Sequence, residues 1–217
     1  MNIEQARFNM IEQQIRPWDV LDADILDLLL VVKRENFVPE AYKNLAFVDT
    51  MIPLPDGESM LTPKLEARIA QDIQTKKHEN VLLVGAGTGY LAALLSHRAR
   101  HVTAVEISPA MKAMAEKNLA ANGISNVSVE LGNASQGWTN GAPFDAIVVS
   151  GSLPVLPESL LQNVKVGGRI LAIIGESPVM SAHLITRTGE HGYDTKKLFE
   201  TDVKALSGAA TPSHFTF

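Results

Sequence analysis

The stretch Val84-Gly85-Ala86-Gly87-Thr88-Gly89-Tyr90 decides how this chain is read. It ends Val81-Leu82-Leu83-Val84, a short continuous apolar run of the kind that forms a strand buried on both faces of a parallel sheet. It leads into a helical pattern through Leu91, Leu94 and Leu95. A strand–glycine–helix junction of this type lies at the carboxyl end of the strands, where an open α/β sheet has its ligand crevice. Glycines there let the turn tighten and let the backbone approach a ligand closely. The next strand pattern, Val102 to Glu106, ends in a carboxylate 21 residues after Gly85. At that offset an acid can grip ribose hydroxyls.

Downstream the alternation continues. Ser108-Pro109 caps and opens a helix through Met111, Met114, Ala115 and Leu119, ended by Asn122-Gly123. Strands are expected over residues 127–131, 144–149 and 168–174, with a short helix over 156–164. Segments 183–188 and 196–203, joined through Gly189 and Gly192, read as a hairpin. The expectation is an α/β fold with a mostly parallel sheet and a C-terminal antiparallel hairpin at one edge.

Upstream of about residue 78 the texture is helical. Residues 3–15 predict a helix with Phe8, Ile11 and Ile15 on one face, broken at Arg16-Pro17. Asp22 caps a second helix carrying Ile25, Leu28, Leu29 and Val32. Residues 37–62 are irregular, with Pro39, Pro53, Pro55 and Gly57, and loops of that length are often functional. Thr62 caps and Pro63 opens the following helix, whose Leu65, Ile69 and Ile73 face inward. One domain is expected over residues 1–217, with helices and a substrate loop in 1–78 and a cofactor-binding sheet in 79–217.

Composition narrows the chemistry. Lys and Arg total 19 against 24 Asp and Glu, a net charge of −5, which argues against a nucleic-acid partner. The chain has no cysteine, so disulfides, thiolate metal sites and a cysteine nucleophile are excluded. That fits a reducing compartment. The N-terminus lacks a signal-peptide pattern, and the longest apolar runs, Leu28–Val32 and Ala146–Val149, are far too short to span a membrane. A cytoplasmic protein with no membrane association and no metal site is expected. His97 and His101, beside Arg98 and Arg100, read as a solvated helix end, and His78, His183, His191 and His214 are scattered. Trp18 and Trp138 read as packing residues, and Met111 and Met114 as core. The tail from Ala205 to Phe217 carries few signals and reads as an ordered cap or a frayed end.

Two ligand classes use a glycine turn of this kind. The dinucleotide fingerprint is Gly-x-Gly-x-x-Gly. Here the spacing is Gly-x-Gly-x-Gly, and Tyr90 occupies the position of the third dinucleotide glycine. A bulky side chain there opposes close helix–strand packing over a pyrophosphate, so a nicotinamide enzyme is disfavoured. The tighter spacing suits S-adenosylmethionine, which carries ribose and adenine but no phosphate.

Residues 81–95, Glu106, Gly132-Asn133-Ala134, Pro143 to Val149 and Val166 to Leu171 resemble the ordered motifs of class I S-adenosylmethionine-dependent methyltransferases. Arg34 to Tyr42, Ala46-Phe47-Val48-Asp49 and Ile52-Pro53-Leu54 are similar to the N-terminal region of the protein-L-isoaspartate O-methyltransferase family. The resemblance implies a Rossmann-like, doubly wound sheet and methyl transfer to an isoaspartyl carboxylate on a damaged protein or peptide. It implies a cofactor site drawn from Gly85, Ala86, Gly87, Thr88, Gly89, Tyr90, Glu106, Ile107, Asn133, Ala134 and Ser150. Glu106 would hold the ribose hydroxyls and Asn133 would stand where the family has an acid for the adenine amino group. Ser150-Gly151-Ser152-Leu153-Pro154 is unlike the Asn/Asp-Pro-Pro-Tyr run of enzymes that methylate base amines.

The match departs at the substrate loop. The family's Gly-Gln-Thr-Ile-Ser-like run aligns with Gly57-Glu58-Ser59-Met60-Leu61, which puts Leu61 on the active-site serine and Glu58 on the glutamine. Ser59, Leu61 and Thr62 are the reaction-site candidates. Glu58 would set a negative charge near a carboxylate acceptor, and like charges disfavour each other. Two further readings stay open: methyl transfer to a different acceptor, and an S-adenosylmethionine-binding protein that has lost catalysis.

Overall fold

A computed structural model describes residues 2–211. Helix α1, Ile3–Met10, has Asn2 as its cap, with the side chain accepting from the Gln5 N–H. It runs on as a π-helical turn over Ile11–Ile15 and a 3-10 turn over Arg16–Trp18, so Arg16-Pro17 does not break it. Proline is tolerated there because it enters at the start of a new turn, and the chain reverses one residue later at Asp19, φ 59°. Ile11 and Ile15 are buried as expected, but Phe8 is exposed and Arg7 and Met10 point inward instead. Helix α2, Ala23–Val31, is capped by Asp22, which accepts from the Asp24 N–H. Residues 37–62 hold short 3-10 turns and a two-stranded antiparallel pair, β1 (Ile52–Pro53) and β2 (Ser59–Met60). Helix α3, Pro63–Asp72, begins at Thr62, whose side chain makes no capping hydrogen bond; Pro63 sets the first turn alone.

The alternating half follows the expected order: β3 (Asn80–Val84), α4 (Tyr90–Ser96), β4 (His101–Glu106), α5 (Pro109–Ala121), β5 (Val127–Leu131), β6 (Phe144–Leu153), α6 (Glu158–Gln162), β7 (Val164–Glu176), β8 (Val179–Arg187) and β9 (Tyr193–Glu200). The seven strands lie in the order β5-β4-β3-β6-β7-β8-β9. The first five in that row are parallel, and β8 and β9 are antiparallel additions. The strand order reverses between β3 and β6, which puts the crevice at their carboxyl ends.

Alternate residues of the strands feed opposite faces. Leu83, Ala104 and Val148 join the N-terminal helices, α4 and α5 in one cluster; Leu82, Val105 and Ile147 pack with Leu160, Val164 and Ala134 in the other. Met111 is buried in the first cluster, whereas Met114 is only half-buried. At the opposite end of the sheet Arg169 on β7 donates to Glu79 through both terminal nitrogens, at 2.8 Å each, and to the Ile73 and Gln74 carbonyls at 2.7 and 2.6 Å. Burial pushes the Glu79 carboxyl up, but these hydrogen bonds and the Lys76 N–H outweigh it and hold the group below its ordinary 4.5.

No helix among the described residues is long and apolar enough to cross a membrane. Among the same residues no group of His, Asp and Glu is placed to hold a metal. Trp18 packs edge-on to Phe199 under the Lys64 ammonium, away from the crevice. His214 and the tail beyond residue 211 lie outside the described residues; Ala205 is bridged to Ser152 of the sheet and Leu206 donates its N–H to the Ser152 carbonyl.

Candidate active site

The turn after β3 is built by backbone conformation. Gly85 sits at φ +88°, and a Cβ there would stand 2.3 Å from the Ser150 hydroxyl. Gly89, at φ +89°, serves helix packing instead, because its missing Cβ lets α4 approach the Ala115 carbonyl and Leu119 of α5. Glu106, buried at the end of β4, accepts from the Ala86 and Gly87 N–H groups at 3.0 Å each and from the Ser108 N–H at 3.1 Å. Its carboxylate therefore fixes the glycine turn and the start of α5 together. Three of its roughly four acceptor positions are used this way, which leaves capacity for a ligand hydroxyl. The Ser150 hydroxyl lies 2.9 and 2.7 Å from the Val84 and Gly85 carbonyls.

These groups open onto one cavity with about 740 Å³ of empty space, part of it open to solvent. Gly85, Gly87, Glu106, Ile107, Asn133, Ala134 and Ser150 line it. Ala86, Thr88, Gly89 and Tyr90 do not. Ala86 donates its N–H to Glu106, and the Thr88 carbonyl is taken by the Asn118 amide. Tyr90 is buried on the far side, its ring 5.4 Å from Phe37 and 5.3 Å from the Arg34 guanidinium. Burial pushes its phenol up to about 12. The side chain that spoils the dinucleotide pattern is therefore a core residue that does not line the cavity. Asn133 turns its carbonyl to the Ser135 N–H at 2.9 Å and its amide to the Gly208 carbonyl at 3.5 Å. Gly132 beside it leaves room for the Trp138 ring, which would lie 2.6 Å from a Cβ.

The other wall comes from the irregular loop. Met51, Leu54, Glu58, Ser59 and Leu61 face the same cavity. Thr62 does not: it turns away at the head of α3. The Ser59 hydroxyl points to the Met51 sulfur at 3.8 Å, and Leu61 is buried. The loop is anchored from behind by Arg34. That guanidinium, fully buried, pairs with buried Glu66 and donates to the Leu61 carbonyl at 2.8 Å and the Ala46 carbonyl at 3.1 Å. Burial lowers its pKa to about 10, with Tyr90 and Asp49 opposing, so it stays charged at neutral pH. The loop tip is tied down in front as well, because the Ser108 hydroxyl donates to Asp56 at 2.6 Å.

The third wall leaves no mark on the sequence patterns. Residues 203–207 run across the cavity as a strap, with Val203, Lys204, Leu206 and Ser207 among the lining. Ser152 holds the strap by donating its N–H to the Lys204 carbonyl, accepting from the Leu206 N–H and donating its hydroxyl to the Val203 carbonyl. Glu58 accepts from the Lys204 ammonium at 2.9 Å and the Ser207 hydroxyl at 2.8 Å. The negative charge expected to trouble an acidic acceptor is thus paired. Nothing local in the sequence joins these residues. Met111, also in the lining, carries a usable signal: it stands one turn into the helix that begins beside Glu106.

Residues 5–204 match the family described as protein-L-isoaspartate(D-aspartate) O-methyltransferase. A protein-L-isoaspartate O-methyltransferase of Rhodopseudomonas palustris strain CGA009 is 35% identical over 201 residues, covering 92% of each chain. Protein-L-isoaspartate O-methyltransferase 1 of strain HaA2 is 40% identical over 169 residues, 78% of this chain and 69% of the relative. In fold, the chain superposes with a TM-score of 0.80 on a solved protein-L-isoaspartate O-methyltransferase at 24% identity, over 93% of this chain and 66% of that one. A structure from Plasmodium falciparum, described as a putative enzyme of this kind in complex with S-adenosyl-L-homocysteine, gives 0.78 at 20% identity, over 95% and 99%. The chain belongs to the protein-L-isoaspartate O-methyltransferase family, whose members are S-adenosylmethionine-dependent O-methyltransferases.

Proposed function

We propose that this chain methylates the carboxylate of isoaspartyl residues in damaged proteins or peptides, with S-adenosylmethionine as donor. The observation that carries the proposal is the single cavity shared by the glycine turn, Glu106 and the irregular loop. Cofactor and acceptor groups would meet there without a domain movement.

The residues present suit the cofactor. The cavity has a positive-φ glycine at its floor and a carboxylate with acceptor capacity left over. Gly85 and Gly87 would let the backbone approach the methionine end, and Glu106 would take the ribose hydroxyls. When bound, the cofactor supplies a methyl on a sulfonium that a nucleophile can displace. The acceptor needs no strong base, since a carboxyl with a pKa near ~4 is already ionised at neutral pH. The carboxylate oxygen forms the new bond to carbon as the carbon–sulfur bond breaks, giving a methyl ester and the neutral thioether. The chain's part is to align the oxygen and exclude water. Met51, Leu54 and Leu61 provide a dry wall for that purpose.

Leu61 also favours a second reading, methyl transfer to a different acceptor, because the family's serine hydroxyl is missing there. Labelled methyl transfer to an isoaspartyl peptide, with the aspartyl peptide as control, separates the two. Transfer to the isoaspartyl peptide alone supports the first reading. S-adenosylhomocysteine binding by calorimetry without such transfer would leave a different acceptor or lapsed catalysis.

A further inference from the structure

Among the described residues lining the cavity, Lys204 is the only basic side chain. It stands on the strap, with its ammonium donating to Glu58 at 2.9 Å and to the Gly57 carbonyl at 3.0 Å. An ammonium has three donors, so one N–H remains uncommitted after those two contacts. Glu58 is itself fixed by the Ser207 hydroxyl at 2.8 Å, and the strap backbone is pinned by Ser152 on both sides of Ala205. The ammonium is therefore held at one place on the cavity wall rather than swinging freely. Across the cavity Leu61 offers no donor, Ser59 faces the Met51 sulfur, and Glu106 is a carboxylate. An anionic acceptor entering this cavity has one side chain of opposite charge to meet.

We infer that Lys204 is the acceptor anchor of this chain: its free N–H receives the acceptor carboxylate, and Glu58 is the positioning residue that holds the ammonium for it. The inference rests on the reading that the acceptor is a carboxylate. Lys204 takes over from the strap the hydrogen bond that a loop hydroxyl would have made at position 61. Glu58, the apparent obstacle to an acidic acceptor, becomes the reason the cation is in place. The ammonium is half-exposed, so its grip is moderate and weakens with salt.

The test is binding of a labelled isoaspartyl peptide to the full chain saturated with S-adenosylhomocysteine, read by fluorescence anisotropy. A second peptide carries a carboxamide in place of the acceptor carboxylate. Wild type should prefer the carboxylate peptide. Lys204→Met should weaken that peptide by about tenfold and leave the carboxamide peptide where it was, so that the preference collapses. Lys204→Arg should restore most of it, and Glu58→Gln should lose about threefold by freeing the ammonium. Equal weakening of both peptides by Lys204→Met would mean a packing role and would overturn the inference. So would an unchanged preference, or no binding of the carboxylate peptide by wild type. Turnover is scored separately. Lys204-dependent binding without methyl transfer would defeat the proposed activity and keep the anchor, whereas transfer that ignores Lys204 would do the reverse.

Discussion

The two halves of the cavity are held by different kinds of interaction. On the cofactor side the shape comes from the backbone: positive-φ glycines, strand ends, and N–H groups gathered by one buried carboxylate. On the acceptor side it comes from side chains that meet from far apart in sequence, Arg34 with Glu66 behind the loop and Lys204 with Glu58 in front. Backbone geometry tolerates few residue types, so that half is written in short motifs. Side-chain contacts can be rebuilt by paired substitutions, so the acceptor half can drift while the fold stays fixed.

The sharpest way to break that contrast is Arg34→Met. It leaves Glu66 buried without its partner and removes the donor to the Leu61 carbonyl. Loss of one member of a buried pair costs about 3–5 kcal/mol, to be read as a lower urea midpoint. If the acceptor half depends on this anchor, peptide affinity should fall before the cofactor's. Gly85→Val comes next. It combines an unfavourable φ with a clash on Ser150, and S-adenosylhomocysteine affinity should fall by about a hundredfold or more by calorimetry. A smaller effect is expected from Leu61→Ser, which returns a hydroxyl to the loop. It should raise kcat/KM for an isoaspartyl peptide by about tenfold, because a hydroxyl on the cavity wall would give the acceptor a second hydrogen-bond partner beside Lys204 and tighten its alignment. The smallest effect is on acid stability. Glu79 has its folded pKa depressed, so its contribution is complete above the ordinary value of 4.5 and is lost as pH falls through the lower folded value. Glu79→Gln should flatten the dependence of Tm on pH in that window.

The same contrast explains which features are legible in the sequence. The alternating strands and helices, the crevice and the place of Glu106 can be read there, because hydrophobic period and glycine spacing act locally. Tyr90 does oppose the dinucleotide pattern, but its side chain does not face the cavity: its bulk is accommodated in the core by Arg34 and Phe37. Thr62 has the look of a cap because its neighbour is proline, yet proline presets the turn without needing the hydroxyl. Phe8 fits a helical stripe but is exposed, since the helix tightens and loosens over its last turns and rotates its face. The strap carries no signal in the sequence. Its contribution exists only once Ser152 and Ala205 are neighbours in space.

Glu58 and Lys204 are separated by 146 positions. Their contact closes a loop containing most of the chain, and such contacts are late and entropically expensive to form. A ligand that bridges the cavity would therefore staple the substrate loop to the strap. Its binding would protect the entire molecule against unfolding and proteolysis, in proportion to ligand concentration. A change that breaks the contact between the loop and the strap would open this wall of the cavity even with every glycine of the turn in place.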